Sequence, residues 1–222
     1  TMAPISSIMG EVMLLGITSD SLSPMELRTL SDWQIRPRIK AIGGIANVVV
    51  IGGDYKQYQV FADPAKMKYY DVSLEELTEK VKEANTNAPG GFLNQYGNQY
   101  IIKGSGRAYA IDDLEEAVVK QINGQSIKIK DVAEVKVGAA DKIGDGSLNA
   151  DPAVILTISK QPDVNTLELT ERLDVAIAEL ETSLPESVEI RSQIFRQADF
   201  IDASISNLNM TLLEGALFVV IV

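Results

Sequence analysis

Apolar positions along the chain switch repeatedly between a strand-like and a helix-like period. Ile8 to Ile17 is a long apolar run. Ile45 to Ile51 is a short β-branched one, entered through Gly43-Gly44 and left through Gly52-Gly53. Tyr55 to Phe61 reads as a strand, Ile127 to Lys130 alternates cleanly, and Val132 to Val137 follows. Ala153 to Ser159 has the composition of a buried strand, and Val188 and Ile190 alternate with Glu189 and Arg191 in the last one. Helices announce themselves by their starts: Ser23-Pro24-Met25-Glu26, Ser73-Leu74-Glu75-Glu76, Asp112-Asp113-Leu114-Glu115 and Asn165-Thr166-Leu167-Glu168, with Asp199 to Asp202 a weaker case. In each the cap oxygen and the acid three residues on satisfy free backbone N–H groups, and the acid suits the positive end of the helix dipole. These acids therefore have a structural task before any chemical one.

Two stretches share one plan. Residues 8–52 read strand, loop, capped helix, glycine break, strand; residues 153–194 read strand, loop, capped helix, Leu184-Pro185 break, strand. In the second helix Leu169, Leu173, Ala176, Ile177 and Leu180 form a stripe that must lie on a sheet. Each βαβ unit alone buries too little, so the pair predicts one α+β sandwich of four strands with two helices on one face. Between them lies a block with its own strands and two helices, so the predicted domain is split by an insertion. The stretch Asn85 to Gln99 fits neither block. It is rich in Gly and side-chain amides and reads as a long loop, yet it carries Phe92, Leu93 and Tyr96, which suit a docking arm.

At the C-terminal end Ile201, Ile205, Leu208 and Leu212 share one helical face, and Gly215 to Val222 is apolar all round. A membrane span needs about 20 apolar residues. The run is either a buried terminal helix or strand, or the first turns of a transmembrane helix; the change from one-sided to all-apolar favours the second. Both ends read as cut, since Thr1 precedes Met2, and no signal peptide is visible.

Composition narrows the chemistry. The formal charge is −11, which argues against a nucleic-acid backbone as partner. There is no His and no Cys, which removes imidazole bases, thiolate nucleophiles, disulfides and the usual zinc ligands. Met9 and Met13 could suit a soft metal, but they lie in an apolar run where Met fills space by default. No cofactor, metal site or catalytic residue is therefore expected.

The segment Leu27 to Trp33 with Ile45-Ala46-Asn47-Val48, then Gly52-Gly53-Asp54-Tyr55-Lys56-Gln57-Tyr58-Gln59-Val60 and Asp63-Pro64, resembles the periplasmic porter region of resistance-nodulation-division efflux pumps, most closely the heavy-metal, Czc/Cus-type branch. Asp131-Val132-Ala133-Glu134-Val135, Ser159-Lys160-Gln161-Pro162 with Asn165-Thr166, and Leu184-Pro185-Glu186 continue the likeness in order. The resemblance implies that residues 11–53 and 147–198 form one split βαβ porter subdomain, a ferredoxin-like sandwich. Residues 54–146 would be an inserted α+β docking subdomain, and residues 199–222 a helix entering the membrane. It further implies a proton-driven homotrimeric exporter in the bacterial inner membrane, mostly periplasmic in this segment, working with a periplasmic adaptor and an outer-membrane channel. Phe92, Leu93 and Tyr96 would lie on an arm reaching a neighbouring protomer. Val49, Ile51 and Asn149 would face the substrate path, although they read equally well as sheet core and turn. Two alternatives remain: a soluble βαβ ligand-binding or adaptor module with no membrane span, and a carboxylate enzyme using Asp112, Asp113, Glu115 and Glu116. The last would need paired acids of opposed pKa in a cleft.

Overall fold

A computed structural model describes residues 10–86, 88–95, 98–104, 110–122, 124–142 and 144–221, of which 88–95, 98–104 and 217–221 are described as backbone. The chain divides into two compact units, one built from the residues up to Tyr55 and those from Ala140 onward, the other from Lys56–Ala139. The first unit opens with β1 (Glu11–Ser19), α1 (Pro24–Leu30), a π turn (Ser31–Ile35), α2 (Arg36–Lys40) and β2 (Ile45–Ile51). The second holds β3 (Lys56–Ala62), α3 (Pro64–Tyr69), α4 (Leu74–Ala84), β4 (Ala88–Gln95), β5 (Asn98–Gly104), α5 (Ile111–Glu115), β6 (Val118–Ile122), β7 (Gln125–Lys128), α6 (Ile129–Val132) and β8 (Ala133–Ala139). The chain then returns to the first unit with β9 (Ser147–Leu148), β10 (Asp151–Pro152), β11 (Val154–Lys160), α7 (Thr166–Ser183), β12 (Val188–Arg196) and α8 (Gln197–Ile221).

In the first unit the sheet order is β12-β1-β11-β2, with every neighbouring pair antiparallel. The strands alternate. Met13, Leu15 and Ile17 of β1, Val48 and Val50 of β2, and Val154, Leu156 and Ile158 of β11 face one core with Leu169, Leu173, Ile177 and Leu180 of α7. Each such side chain, fully buried, contributes about 1.5–3 kcal/mol. Asn165 caps α7, its side-chain oxygen accepting from Leu167 N at 2.9 Å.

Beside α7, the α1–α2 segment buries Leu27, Ser31, Ile35 and Ile39, spaced by four throughout. On an ideal α-helix each step of four overshoots a turn by about 40°, so such a stripe would wind off the sheet. The wider π turn over Ser31–Ile35 absorbs that drift and keeps the stripe in line. Ser31, its polar member, is satisfied by donating to Leu27 O at 2.8 Å. Residues 140–146 group with this unit rather than with the insertion. Ala140 N donates to Tyr55 O at 2.9 Å, and Lys142 lies 3.1 Å from both Asp54 and Asp145.

In the second unit β3 pairs with β8, β6 with β7 and β4 with β5, all antiparallel. Its core gathers Met67, Leu77, Leu114, Val119, Ile127, Ile129, Val132 and Val135. The local pattern misleads at four places in the chain. Ile127 to Lys130 is not one strand: β7 ends at Lys128, and Ile129 and Val132, three apart, both enter the core from a helical turn, which a strand's alternation forbids. Asp112 is not a cap, because the acid that reaches back is Asp113, accepting from Ala110 N at 3.1 Å, so α5 starts at Ile111. The stretch Asn85 to Gln99 is not a loop: its backbone enters a hairpin whose register slips between Pro89 and Phe92, at Gly90-Gly91. The last helix does not start at Asp199 but at Gln197, directly after β12. The helix α3, capped by Asp63 on Ala65 N and Lys66 N, is too short to show a stripe in sequence. Among the described residues no helix is long and apolar enough to cross a membrane.

Two outcomes follow from this packing. Leu173→Ala removes a fully buried side chain between α7 and the sheet, and should cost about 2–5 kcal/mol in urea unfolding; a loss below about 1 kcal/mol would show that α7 does not carry the core. The second concerns Glu116, which accepts from Lys128 Nζ and Lys130 Nζ. Hydrogen bonds from Lys128, then Lys130, hold its carboxyl at about 2, below the ordinary 4.5. A depressed carboxylate stabilises the fold above its unfolded pKa, and the gain is lost as pH falls from about 4.5 through about 2. Glu116→Gln should therefore unfold at lower urea than the parent at pH 6, with the gap closing toward pH 2; parallel midpoints across that range would contradict the assignment.

Candidate functional site

The helices cover one face of the four-stranded sheet and leave the other. On that open face, antiparallel register sets Ile51 opposite Ile155 and Ile155 opposite Gly16, then Val49 opposite Thr157 and Thr157 opposite Leu14. Val49 and Ile51 are each 43% exposed, whereas Val48 and Val50, which alternate with them, are buried. They are therefore not sheet core; they stand on an open apolar surface at the free edge of β2.

The short hairpin β9–β10 approaches the same face. Its turn places Asn149 and Ala150 at φ 54° and 74°, the left-handed region that Asn tolerates and Ala resists. Leu148 comes down on Gly16 beside Ile194 of β12. A Cβ on Gly16 would lie 2.6 Å from Ile194 Cδ1 and 3.0 Å from Leu148 Cδ2, so the missing side chain is what admits both.

A cavity of about 480 Å³ opens beside the hairpin, with an apolar floor including Leu22, Leu27, Leu148 and Val154, and with Asn149, Asp20, Asp145, Asp151, Glu189, Lys142 and Arg191 around it. A second cavity of about 480 Å³ is lined by Ile51, Tyr55, Arg28, Gly53 and Lys142 among others. Gly53 and Lys142 line both, so Ile51 and Asn149 belong to neighbouring hollows, and Val49 lines neither.

Most charge around these hollows is paired. Hydrogen bonds to Asp54, then Asp145, raise the Lys142 pKa, and the same lysine lowers that of Asp145. Arg28 holds Asp32 at 2.7 Å, donates to Gly52 O at 2.7 Å and lies 5.8 Å from the centroid of the Tyr55 ring. Arg191 donates to Glu189 at 2.9 Å. Among the described residues no group of His, Cys, Asp and Glu could hold a metal ion.

The other sequence candidates fall in the second unit. Asp113 caps α5, and Glu116 is held by two lysines. Phe92 and Leu93 lie on β4, facing Ile101 and Tyr100 in register; Tyr96 lies outside the described residues. In the sequence Gly16 is one of two glycines in the run Ile8 to Ile17, and a glycine inside a strand pattern signals a close approach.

The comparisons extend along the whole chain. Residues 1–222 match the AcrB/AcrD/AcrF family. The chain is 31% identical to the protein HelA of Legionella pneumophila and 26% identical to the cobalt-zinc-cadmium resistance protein CzcA of Cupriavidus metallidurans, in each case over 100% of this chain and 22% of the relative. It is 32% identical to the cation efflux system protein CusA of Escherichia coli K12, over 89% of this chain and 19% of that one. The crystal structure of a heavy metal efflux pump superposes with a TM-score of 0.79 at 26% identity, covering 96% of this chain and 21% of the pump. The chain thus spans about a fifth of the length of these relatives. The likeness to heavy-metal efflux pumps seen in its sequence holds, and the chain belongs to the AcrB/AcrD/AcrF family.

Proposed function

We propose that this chain is the periplasmic porter and docking portion of a proton-driven inner-membrane pump that exports heavy-metal cations. The observation that carries the reading is the agreement of the whole chain, in sequence and in fold, with members of one transporter family. On this reading residues 11–53 and 147–198 are a split βαβ porter subdomain of ferredoxin-like form, and the intervening residues 54–146 carry the docking insertion, whose compact part is Lys56–Ala139. Residues 199–222 lead into the bilayer. The strand order β12-β1-β11-β2, with a helix following β1 and another following β11, supports the first part.

The open face then has a use. Val49 and Ile51 offer apolar contact on a surface that the helices leave, and Asn149 stands at the turn beside it; together they form wall rather than site, guiding cargo that binds elsewhere in the pump. The hairpin β4–β5, carrying Phe92 and Leu93, with Tyr96 next in sequence after β4, would reach a neighbouring protomer of a homotrimer. A periplasmic adaptor and an outer-membrane channel would complete the assembly.

In the full-length pump, Ile51→Trp should lower metal tolerance of cells at unchanged expression by narrowing the path; unaltered tolerance would remove Ile51 from the wall. Replacing Phe92, Leu93 and Tyr96 together by Ser should weaken the trimer in detergent. A trimer of unchanged resistance to dissociation would return the hairpin to a solvent-facing role.

A further inference from the structure

We propose that Arg196 is a positioning residue that joins α8 rigidly to the sheet and to α7, so that a displacement of α8 is passed to the β12–β1 edge; this rests on the reading that the chain works within a pump. Three elements meet on one guanidinium. Arg196 is the last residue of β12, and Gln197 is the first of α8, with no linker between them. Its Nη1 donates to Asp174 Oδ1 at 2.8 Å and its Nη2 to Asp174 Oδ2 at 2.7 Å, a two-pronged contact with α7. Its Nε lies 3.4 Å from Asp199 Oδ1 in the first turn of α8.

The rest of α8 makes this corner matter. Ala198 is buried, and the rings of Phe195 and Phe200 stand 5.9 Å apart across the junction. From Asp202 to Ala216, in contrast, every side chain is exposed. Among the described side chains, α8 is therefore held at its base, and its 25 residues give a lever about 37 Å long. A single backbone junction can pivot about its dihedrals. A planar fork on a carboxylate fixes direction as well as distance, which a lysine's point charge cannot. The Arg196 side chain is only 17% exposed, so solvent weakens this contact less than it weakens a pair such as Arg191–Glu189, which joins two residues of one strand.

The load has a defined destination. Arg196 lies opposite Met13 of β1, and the same strand β12 carries Ile194, which seats on Gly16 of the open face. A tilt of α8 transmitted at Arg196 therefore moves the apolar surface that includes Ile155 and Ile51. Without the fork, α8 swivels and the sheet does not follow.

Hydrogen exchange on this chain tests the clamp without any transport assay. In Arg196→Met, amides of residues 198–202 should exchange about tenfold faster, as expected for loss of a charge-assisted bidentate contact, while those of β1 and β11 stay unchanged. Arg196→Lys should fall between the two. In the full-length pump, Arg196→Met should lower maximal export about tenfold with the half-saturating metal concentration and the amount of folded pump unchanged. Unaltered exchange at 198–202 overturns the clamp. Faster exchange with unaltered maximal export overturns its role in transmission. Global acceleration that includes β1 and β11 shows a merely structural role and overturns the proposal as well. If the unsubstituted pump exports no metal, the functional reading fails, and the parent assay alone reveals it.

Discussion

The first unit depends on a strand that arrives late. The strand β11 fills the slot between β1 and β2, and it pairs with both along most of their lengths. Until it does, Leu15 and Ile17 on one side and Val48 and Val50 on the other have half a sheet and no continuous face for α7 to cover. The cost of closing so long a loop grows only slowly with length, so the insertion is tolerated thermodynamically. It is the folding rate that such distant pairing slows. The close seat of Ala140 N on Tyr55 O shows how little the insertion asks of its host: the two ends already meet as neighbours.

That same arrangement sorts the chemistry of the two sheet faces. Covering one face with helices leaves Val49, Ile51, Ile155 and Gly16 on the other, and the return of the chain through β9–β10 brings Leu148 onto it. The result is a surface of apolar contacts edged by acids and paired bases. Such a surface presents apolar contact with charge at its border. The transport reading therefore asks of these residues what their geometry supplies.

The parts legible in sequence were those with local causes. The run Ile45 to Ile51 coincides with β2 because glycine pairs bracket it, and α1, α4 and α7 start where Ser23, Ser73 and Asn165 offer cap oxygens. That strands from both stretches share one antiparallel sheet was legible because each stretch alone leaves an apolar stripe unburied. What stayed hidden has non-local causes. The π turn answers the direction of the sheet below Leu27, Ser31, Ile35 and Ile39, which composition does not record. Gly16 matters only because Leu148 and Ile194 come from far along the chain. Val49 and Val50 differ in no local property; the helices alone decide which faces outward. The corner at Arg196 was hidden for the same reason, since Asp174 joins it through the docking of α7.

The most direct test of this account is to remove the insertion. A chain in which residues 56–139 are replaced by a short Gly-containing turn from Tyr55 to Ala140 should fold cooperatively, with dispersed amide resonances and protection from exchange in β1, β2 and β11. Residues 1–55 alone should remain unfolded under the same conditions. If the joined chain gives collapsed, undispersed peaks, or if residues 1–55 fold by themselves, then the late strand is not what completes the sheet.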